Sequence, residues 1–335
     1  MSYNDAAVYE TANDAAQAKL NCHKLHYTDD PYIQYFTKHN INHSTYNTVA
    51  PLINRGYYTR TYAITQIVID YIQLCHANNT LCQIISLGAG NDTLYWRLRD
   101  LSLTQYTRNY IECDFEYSVL NKAKIISKHS ELNPDSNSAY HNSSSNTTSQ
   151  YRYQLQYHNY QLLPCNLRDV EQLKHDLETQ CDIDYNVPTL VLSECVLIYL
   201  DKQYTDSIIQ YFGTSFHNCM FIDYIPINPS SRFGQTMMQN LNQRQCNLLS
   251  YLSYPSIQSY CDRYKLYGMT CTYGYTMYDM YYTYITSDER KRIESIEFMD
   301  EYEEWEIMMS HYAIVIGIKN KLLNNIGTMK ICTIK

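Results

Sequence analysis

The chain has 335 residues, a formal net charge of −8, and nearly half of its residues are apolar. With only 9 Gly and 8 Pro it is neither collagen-like nor compositionally disordered, and it carries the apolar material for a large core. An acidic chain is not steered toward a phosphate backbone, so no nucleic-acid partner is expected; the short basic run ERKR at 289–292 reads as a solvated helix face.

From the amino terminus, residues 1–50 read as helical and irregular, with an Ala-rich stretch and a helix start at Asp30-Pro31 before Tyr32, Ile33 and Phe36. Residues 59–76 place apolar side chains at three- and four-residue intervals, the pattern of an amphipathic helix packed on a sheet. Strands and helices then alternate. CQIISLG at 82–88 is a continuous β-rich run, as parallel strands buried on both faces tend to be. A helix follows at 92–101, a strand at 109–115 and a helix at 117–129. Residues 131–150 are Ser/Asn-rich without apolar pattern and read as a flexible insertion. A third strand region ends near Asn166, a helix covers 170–180, and PTLVLSECVLIYL at 188–200 is a fourth strand. A helix at 202–216 and a fifth strand at 219–227 complete five β–α alternations, which predict a doubly wound, mostly parallel α/β sheet. Beyond them come helices at 232–252 and 256–268, a strand-like stretch at 267–282, a charged helix or helix pair at 289–311 and a final strand at 312–319.

The 12 cysteines include no CxxC, none pairs with a histidine at zinc-finger spacing, and no metal site is expected. The polar start MSYNDAAVYE carries no h-region, and no run approaches the ~20 apolar residues of a membrane span. A cytoplasmic protein with reduced thiols, not associated with a membrane, is therefore expected. The 37 tyrosines are spread through every segment and read as compositional bias before they read as a stacking surface.

The informative stretch is IISLGAGNDTLYWRL at 84–98. In a doubly wound sheet, ligands sit outside the carboxyl ends of the strands. Gly88 and Gly90 allow close backbone approach and positive φ there, and Asp92 or Thr93 is placed to cap the next helix, whose amide end would face an anionic group. The dinucleotide fingerprint needs a third glycine where this chain has Thr93, so pyrophosphate binding is disfavoured. Asp114 ends the next strand and can accept both ribose hydroxyls of a nucleoside; the alternative is an N-cap for the following helix. Turn and acid together point to a nucleoside without pyrophosphate, with S-adenosyl-L-methionine as the candidate.

These residues, in order with CDF, NLRD, LSECVLIYL, RFGQTMMQNL and RIESIEFMDE, and with DPYIQYF and NRGYYTR before them, resemble the leucine carboxyl methyltransferase family over roughly residues 15–317. The resemblance implies a Rossmann-like S-adenosylmethionine-dependent methyltransferase fold with added helices forming a substrate cap. It implies a single domain over 1–335: a helical cap at 1–58, a nucleoside-binding core at 59–225 and substrate-side helices and strands at 226–335. It implies methyl transfer to the α-carboxylate of the C-terminal leucine of a type 2A protein phosphatase catalytic subunit, the partner expected here for a monomer. Carried over by position, Lys19 (or Lys24) and Arg60 would reach the methionine or substrate carboxylate. Gly88 would lie against the methionine portion, and Asp114 would hold the ribose. Asn166 stands where the family usually has an aspartate at the adenine edge, Leu167 would pack beside the ring, and Glu194 would face the methionine amino group. Tyr199 would sit near the substrate carboxylate, making Arg60 and Tyr199 the candidate catalytic pair. Glu194 stands out independently, because a charge in an otherwise apolar strand needs a partner or an open end.

Rival readings are the related carboxyl methyltransferase acting on modified tRNA, expected to carry an extra repeat domain, a small-molecule O-methyltransferase, and a non-catalytic binding protein on the same scaffold.

Overall fold

The computed structural model describes residues 3–37, 49–133, 153–154, 159–321 and 326–334. In chain order, α1 (Tyr3–Lys24) and a 3-10 turn (Ile33–Phe36) precede α2 (Pro51–Ala77), β1 (Cys82–Leu87), α3 (Leu94–Asp100), β2 (Thr107–Asp114) and α4 (Glu116–Lys128). Then come β3 (Tyr153–Gln154), β4 (Tyr160–Pro164), α5 (Val170–Gln180), β5 (Thr189–Glu194), a 3-10 turn (Leu197–Tyr199), α6 (Lys202–Ser215), β6 (Cys219–Pro226), α7 (Arg232–Gln243) and α8 (Ile257–Leu266). The chain ends with β7 (Cys271–Thr276), α9 (Met277–Asp279) running into a π turn (Met280–Tyr284), α10 (Ser287–Glu294), α11 (Tyr302–Ser310), β8 (Tyr312–Lys319) and α12 (Lys330–Thr333).

One sheet in the order β3-β4-β2-β1-β5-β6-β8-β7 organises the molecule. β4, β2, β1, β5 and β6 run parallel, while β3, β8 and β7 each pair antiparallel to a neighbour. The expected doubly wound, mostly parallel sheet is what forms, and its order reverses at β1, which opens a crevice at the carboxyl ends. Side chains alternate across the sheet with period two. Ile84, Tyr110, Leu192, Ile222 and Ile316 meet Ile64, Ile67 and Val68 of α2 on one face. Ile85, Ile111, Val191, Phe221 and Val315 meet Leu173 of α5, Ile208 and Phe212 of α6 and Tyr264 of α8 on the other.

Several elements depart from expectation. The helix expected at 59–76 starts at Pro51, whose fixed φ suits a first turn, so the boundary drawn at 58/59 falls inside α2. The helix signalled by Asp30-Pro31 is a four-residue 3-10 turn. The fourth strand stops at Glu194, because Cys195 adopts φ 61° and turns the chain out of the ladder. The charged segment is the pair α10 and α11. The flexible insertion at 131–150 lies outside the described residues from 134 onward. Tyrosine proves to be a core residue: Tyr58, Tyr71, Tyr110, Tyr160, Tyr251, Tyr260, Tyr264, Tyr281 and Tyr284 are fully buried. Most of their hydroxyls that find partners do so on carboxylates, as in Tyr58 to Glu289, Tyr160 to Glu112 and Tyr281 to Glu294.

Asp223 shows what such burial does. It points from β6 toward α8, accepts from the Tyr264 hydroxyl at 3.2 Å and, among the described residues, leaves Oδ1 without a partner. Burial pushes its carboxyl up from the ordinary 3.8 to about 6. The folded state therefore favours the protonated form. Stability is full below the unfolded value and is lost as pH rises toward 6, by about 3 kcal/mol. Asp223→Asn keeps the acceptor for Tyr264 and offers an N–H to Ser193, its register partner on β5. Thermal unfolding across pH 4–8 should show this variant stabilised at pH 8 and close to wild type at pH 4.

Candidate active site

At the carboxyl ends of the parallel strands lies a crevice of about 420 Å³, walled on one side by α1. Lys19, Arg60, Gly88, Asp114, Asn166, Leu167, Glu194 and Tyr199 all line it. Lys24, the alternative to Lys19, is exposed at the end of α1.

The turn after β1 sets the floor. Gly88 and Gly90 have φ of 59° and 52°, which side-chain-bearing residues rarely adopt. A Cβ on Gly88 would lie 2.6 Å from Val196 Cγ1, and one on Gly90 would lie 2.9 Å from Ala12 Cβ, so bare backbone lets α1 close against the turn. Asp114, at the end of β2, accepts from Gly90 N–H at 2.7 Å and Phe115 N–H at 2.6 Å. Burial nevertheless raises its carboxyl above the usual range. It does not cap α4, whose N-cap position is Phe115.

The charged centre is Glu194. Its Oε2 meets Lys19 Nζ at 3.2 Å and its Oε1 meets Arg60 Nε at 2.5 Å. The three side chains are only 9–15% exposed. Burial alone would raise the Glu194 carboxyl, but Arg60 and Lys19 hold it below the usual range. The same cluster raises Lys19, against the opposing effect of burial, through Glu194 and Asp92. Asp92 takes up the expected capping role and is tied to Lys19 as well. Rather than leaving the α3 end open to a ligand anion, its Oδ2 takes the Leu94 N–H at 3.3 Å and its Oδ1 takes Lys19 at 3.2 Å.

Leu167 is buried, whereas Asn166 is exposed and its Oδ1 accepts the Arg168 N–H at 3.1 Å. Tyr199 is buried in the 3-10 turn after β5, in a cluster with Ile198, Cys246 and Tyr251. Toward α7 and α11 the wall turns apolar, with Met237, Leu241, Leu248 and Met308.

Sequence reasoning missed two groups. Tyr57 and Tyr224 present their rings to Arg60 and Tyr312 stacks on Tyr224; nothing separates them from the other tyrosines until strand register is known. Beneath the turn, Lys122 of α4 meets Glu112 at 2.5 Å and donates to the Asp92 carbonyl at 2.7 Å, both side chains almost fully buried. Glu112 carried a signal, since it is a carboxylate inside an apolar strand, the same anomaly that marked Glu194.

The family model of leucine carboxyl methyltransferase matches residues 7–213. The chain is 33% identical over 319 residues to the leucine carboxyl methyltransferase 1 homolog of Arabidopsis thaliana, covering 95% of this chain and 91% of that one. The chain belongs to the leucine carboxyl methyltransferase family. It is also 32% identical over 276 residues to the tRNA wybutosine-synthesizing protein 4 of Rattus norvegicus, covering 82% of this chain but 39% of that protein. In fold it resembles the crystal structure of a Thermobifida fusca protein described as a methyltransferase, with a TM-score of 0.52 at 10% identity over 81% of this chain and 84% of that one. Membership makes this chain a carboxyl methyltransferase on a Rossmann-like fold, with S-adenosyl-L-methionine as methyl donor. Its crevice fits that donor. The positive-φ turn leaves bare backbone beside a carboxylate suited to ribose hydroxyls, and the Lys19–Glu194–Arg60 cluster offers both signs of charge to a zwitterionic amino acid portion.

Gly88→Ala combines a forced positive φ with a clash on Val196, and should cost about 1–3 kcal/mol and weaken donor binding. Adding Val196→Ala relieves the contact but not the backbone strain. Thermal unfolding of the single and double variants should therefore show partial recovery, and full recovery would mean that φ carries no cost.

Proposed function

We propose that this methyltransferase esterifies the α-carboxylate of the C-terminal leucine of a type 2A protein phosphatase catalytic subunit. The observation that carries the reading is the setting of Arg60. Its Nε is given to Glu194, among the described residues no acceptor engages its terminal nitrogens, and the crevice that it lines also carries the apolar Met237, Leu241, Leu248 and Met308. A buried guanidinium edge beside an apolar wall suits a terminal carboxylate attached to an aliphatic side chain. In this reading Asp114 holds the ribose, Gly88 backs the methionine portion, Asn166 and Leu167 bound the adenine, and Lys19 and Glu194 take the methionine carboxylate and ammonium. Tyr199 and Arg60 face the acceptor.

When bound, S-adenosyl-L-methionine supplies a methyl group on a cationic sulfonium. The acceptor carboxylate is ionised at neutral pH, so the protein need not supply a base. The task left to the chain is alignment and exclusion of water, and alignment alone supplies up to ~7–11 kcal/mol in favourable cases. Arg60 orients the acceptor oxygen, while its bond to Glu194 keeps it from gripping that carboxylate so tightly that the ground state is stabilised. We further propose that the enzyme acts as a cytoplasmic monomer. Among the described residues no helix is long and apolar enough to cross a membrane.

Incubation with methyl-labelled donor and folded phosphatase catalytic subunit should give a base-labile ester, and a subunit lacking its last leucine should take up none. The identity to the wybutosine-synthesizing protein makes tRNA the competing arm; label in RNA instead of protein would replace this reading. Arg60→Ala should lower kcat by about 100-fold or more. Asp114→Ala should weaken donor binding by about 1.5–3 kcal/mol in calorimetry, the range for hydrogen bonds to a charged group.

A further inference from the structure

A guanidinium held by one hydrogen bond is still free to pivot about it. Among the described residues Arg60 has one such bond, from Nε to Glu194, and a second constraint is needed to fix the plane in which its terminal nitrogens point. The ring of Tyr224 supplies a surface for that. It lies 4.5 Å from the Arg60 Cζ, with Tyr57, one helical turn back on α2, at 5.4 Å. Tyr224 is itself immobilised. It stands opposite Glu194 in the β5–β6 register, and its carbonyl accepts the Cys195 N–H at 2.8 Å. Its other neighbour is Tyr312, stacked with centroids 5.6 Å apart and planes 8° from parallel; the Tyr312 hydroxyl reaches Met237 Sδ on α7 at 3.3 Å. Both contacts that orient Arg60 thus come from adjacent strands of one ladder.

We propose that Tyr224 is a positioning residue for methyl transfer, its ring fixing the plane of the Arg60 guanidinium so that the free edge meets the acceptor carboxylate. This rests on the proposed role of Arg60 toward that carboxylate. The ring acts through its π face, so an aromatic replacement preserves the function and an aliphatic one of similar bulk does not. Tyr312 supports it by stacking, and ties the acceptor side of the crevice, through Met237, to the same column of side chains.

The test has two arms. With arginine-selective ¹⁵N labelling, the Nε–H resonance of Arg60 is identified by its loss in Arg60→Lys. Tyr224→Leu should move that resonance toward the position of a free arginine and speed its exchange with water, while Tyr224→Phe should leave it near its wild-type position. In kinetics, Tyr224→Leu should raise KM for the phosphatase subunit or lower kcat by about tenfold, with donor affinity unchanged by calorimetry, and Tyr224→Phe should restore most of the loss. Tyr224→Met replaces the leucine variant if that one fails to fold. An unshifted, protected Arg60 resonance in the aliphatic variant, or equal losses in the leucine and phenylalanine variants, overturns the proposal. The spectroscopic arm needs no acceptor, so it still decides the matter if the wild-type enzyme proves inactive on the phosphatase.

Discussion

A carboxylate at the end of an apolar strand, held between two cations from distant helices, is the interaction on which the crevice depends. Glu194 draws Lys19 from α1 and Arg60 from α2 onto the tip of β5. All three are nearly dry, so the attraction is little screened, and removal of Glu194 would leave Arg60 buried without a carboxylate, at a cost of about 3–5 kcal/mol. The cluster therefore places the first helix as well as the ligand-facing charges. Asp92 extends it to the glycine turn through Lys19, and Lys122 joins that turn to Glu112 and the β2 strand. Floor, wall and charged centre are parts of one buried network, and they hold their spacing together.

Much of this was legible in the residues. The β–α alternation predicted the doubly wound sheet because parallel strands buried on both faces are continuously apolar and stand apart from amphipathic helices. The glycine turn and Asp114 were readable because positive φ and a strand-end carboxylate leave local marks. Glu194 was readable because an ionised group in an apolar run demands an explanation. What stayed hidden depends on contacts across the chain. Tyr224 is one tyrosine among many until β6 is aligned with β5, and Lys122 is an ordinary helix lysine until α4 packs on β2. Asp92 was assigned a capping role, which it has toward Leu94, but its tie to Lys19 spans 73 residues and leaves no local trace.

The tyrosine content has a physical meaning that composition alone conceals. A buried tyrosine contributes the apolar area of a phenylalanine but brings a hydroxyl that needs a partner. Here many of those partners are carboxylates, including Glu112, Glu289 and Glu294. The core is thereby more polar than its packing suggests, and acidic side chains that would otherwise remain in water are drawn into it. Burial raises the carboxyls of Glu112, to about 7, and of Asp223 under α8, to about 6.

Lys19 of α1 must find one partner 73 positions later in the chain and another 175 positions later. Contacts of such long separation form late, because the chain entropy between them must be lost before they yield any return. The crevice is consequently among the last parts of the molecule to be completed during biosynthesis. The lining of the crevice runs from Asp5 to Tyr312, so a nascent chain has no complete site until Tyr312 has emerged, and turnover in this enzyme reports that every segment from α1 to β8 has reached its native arrangement.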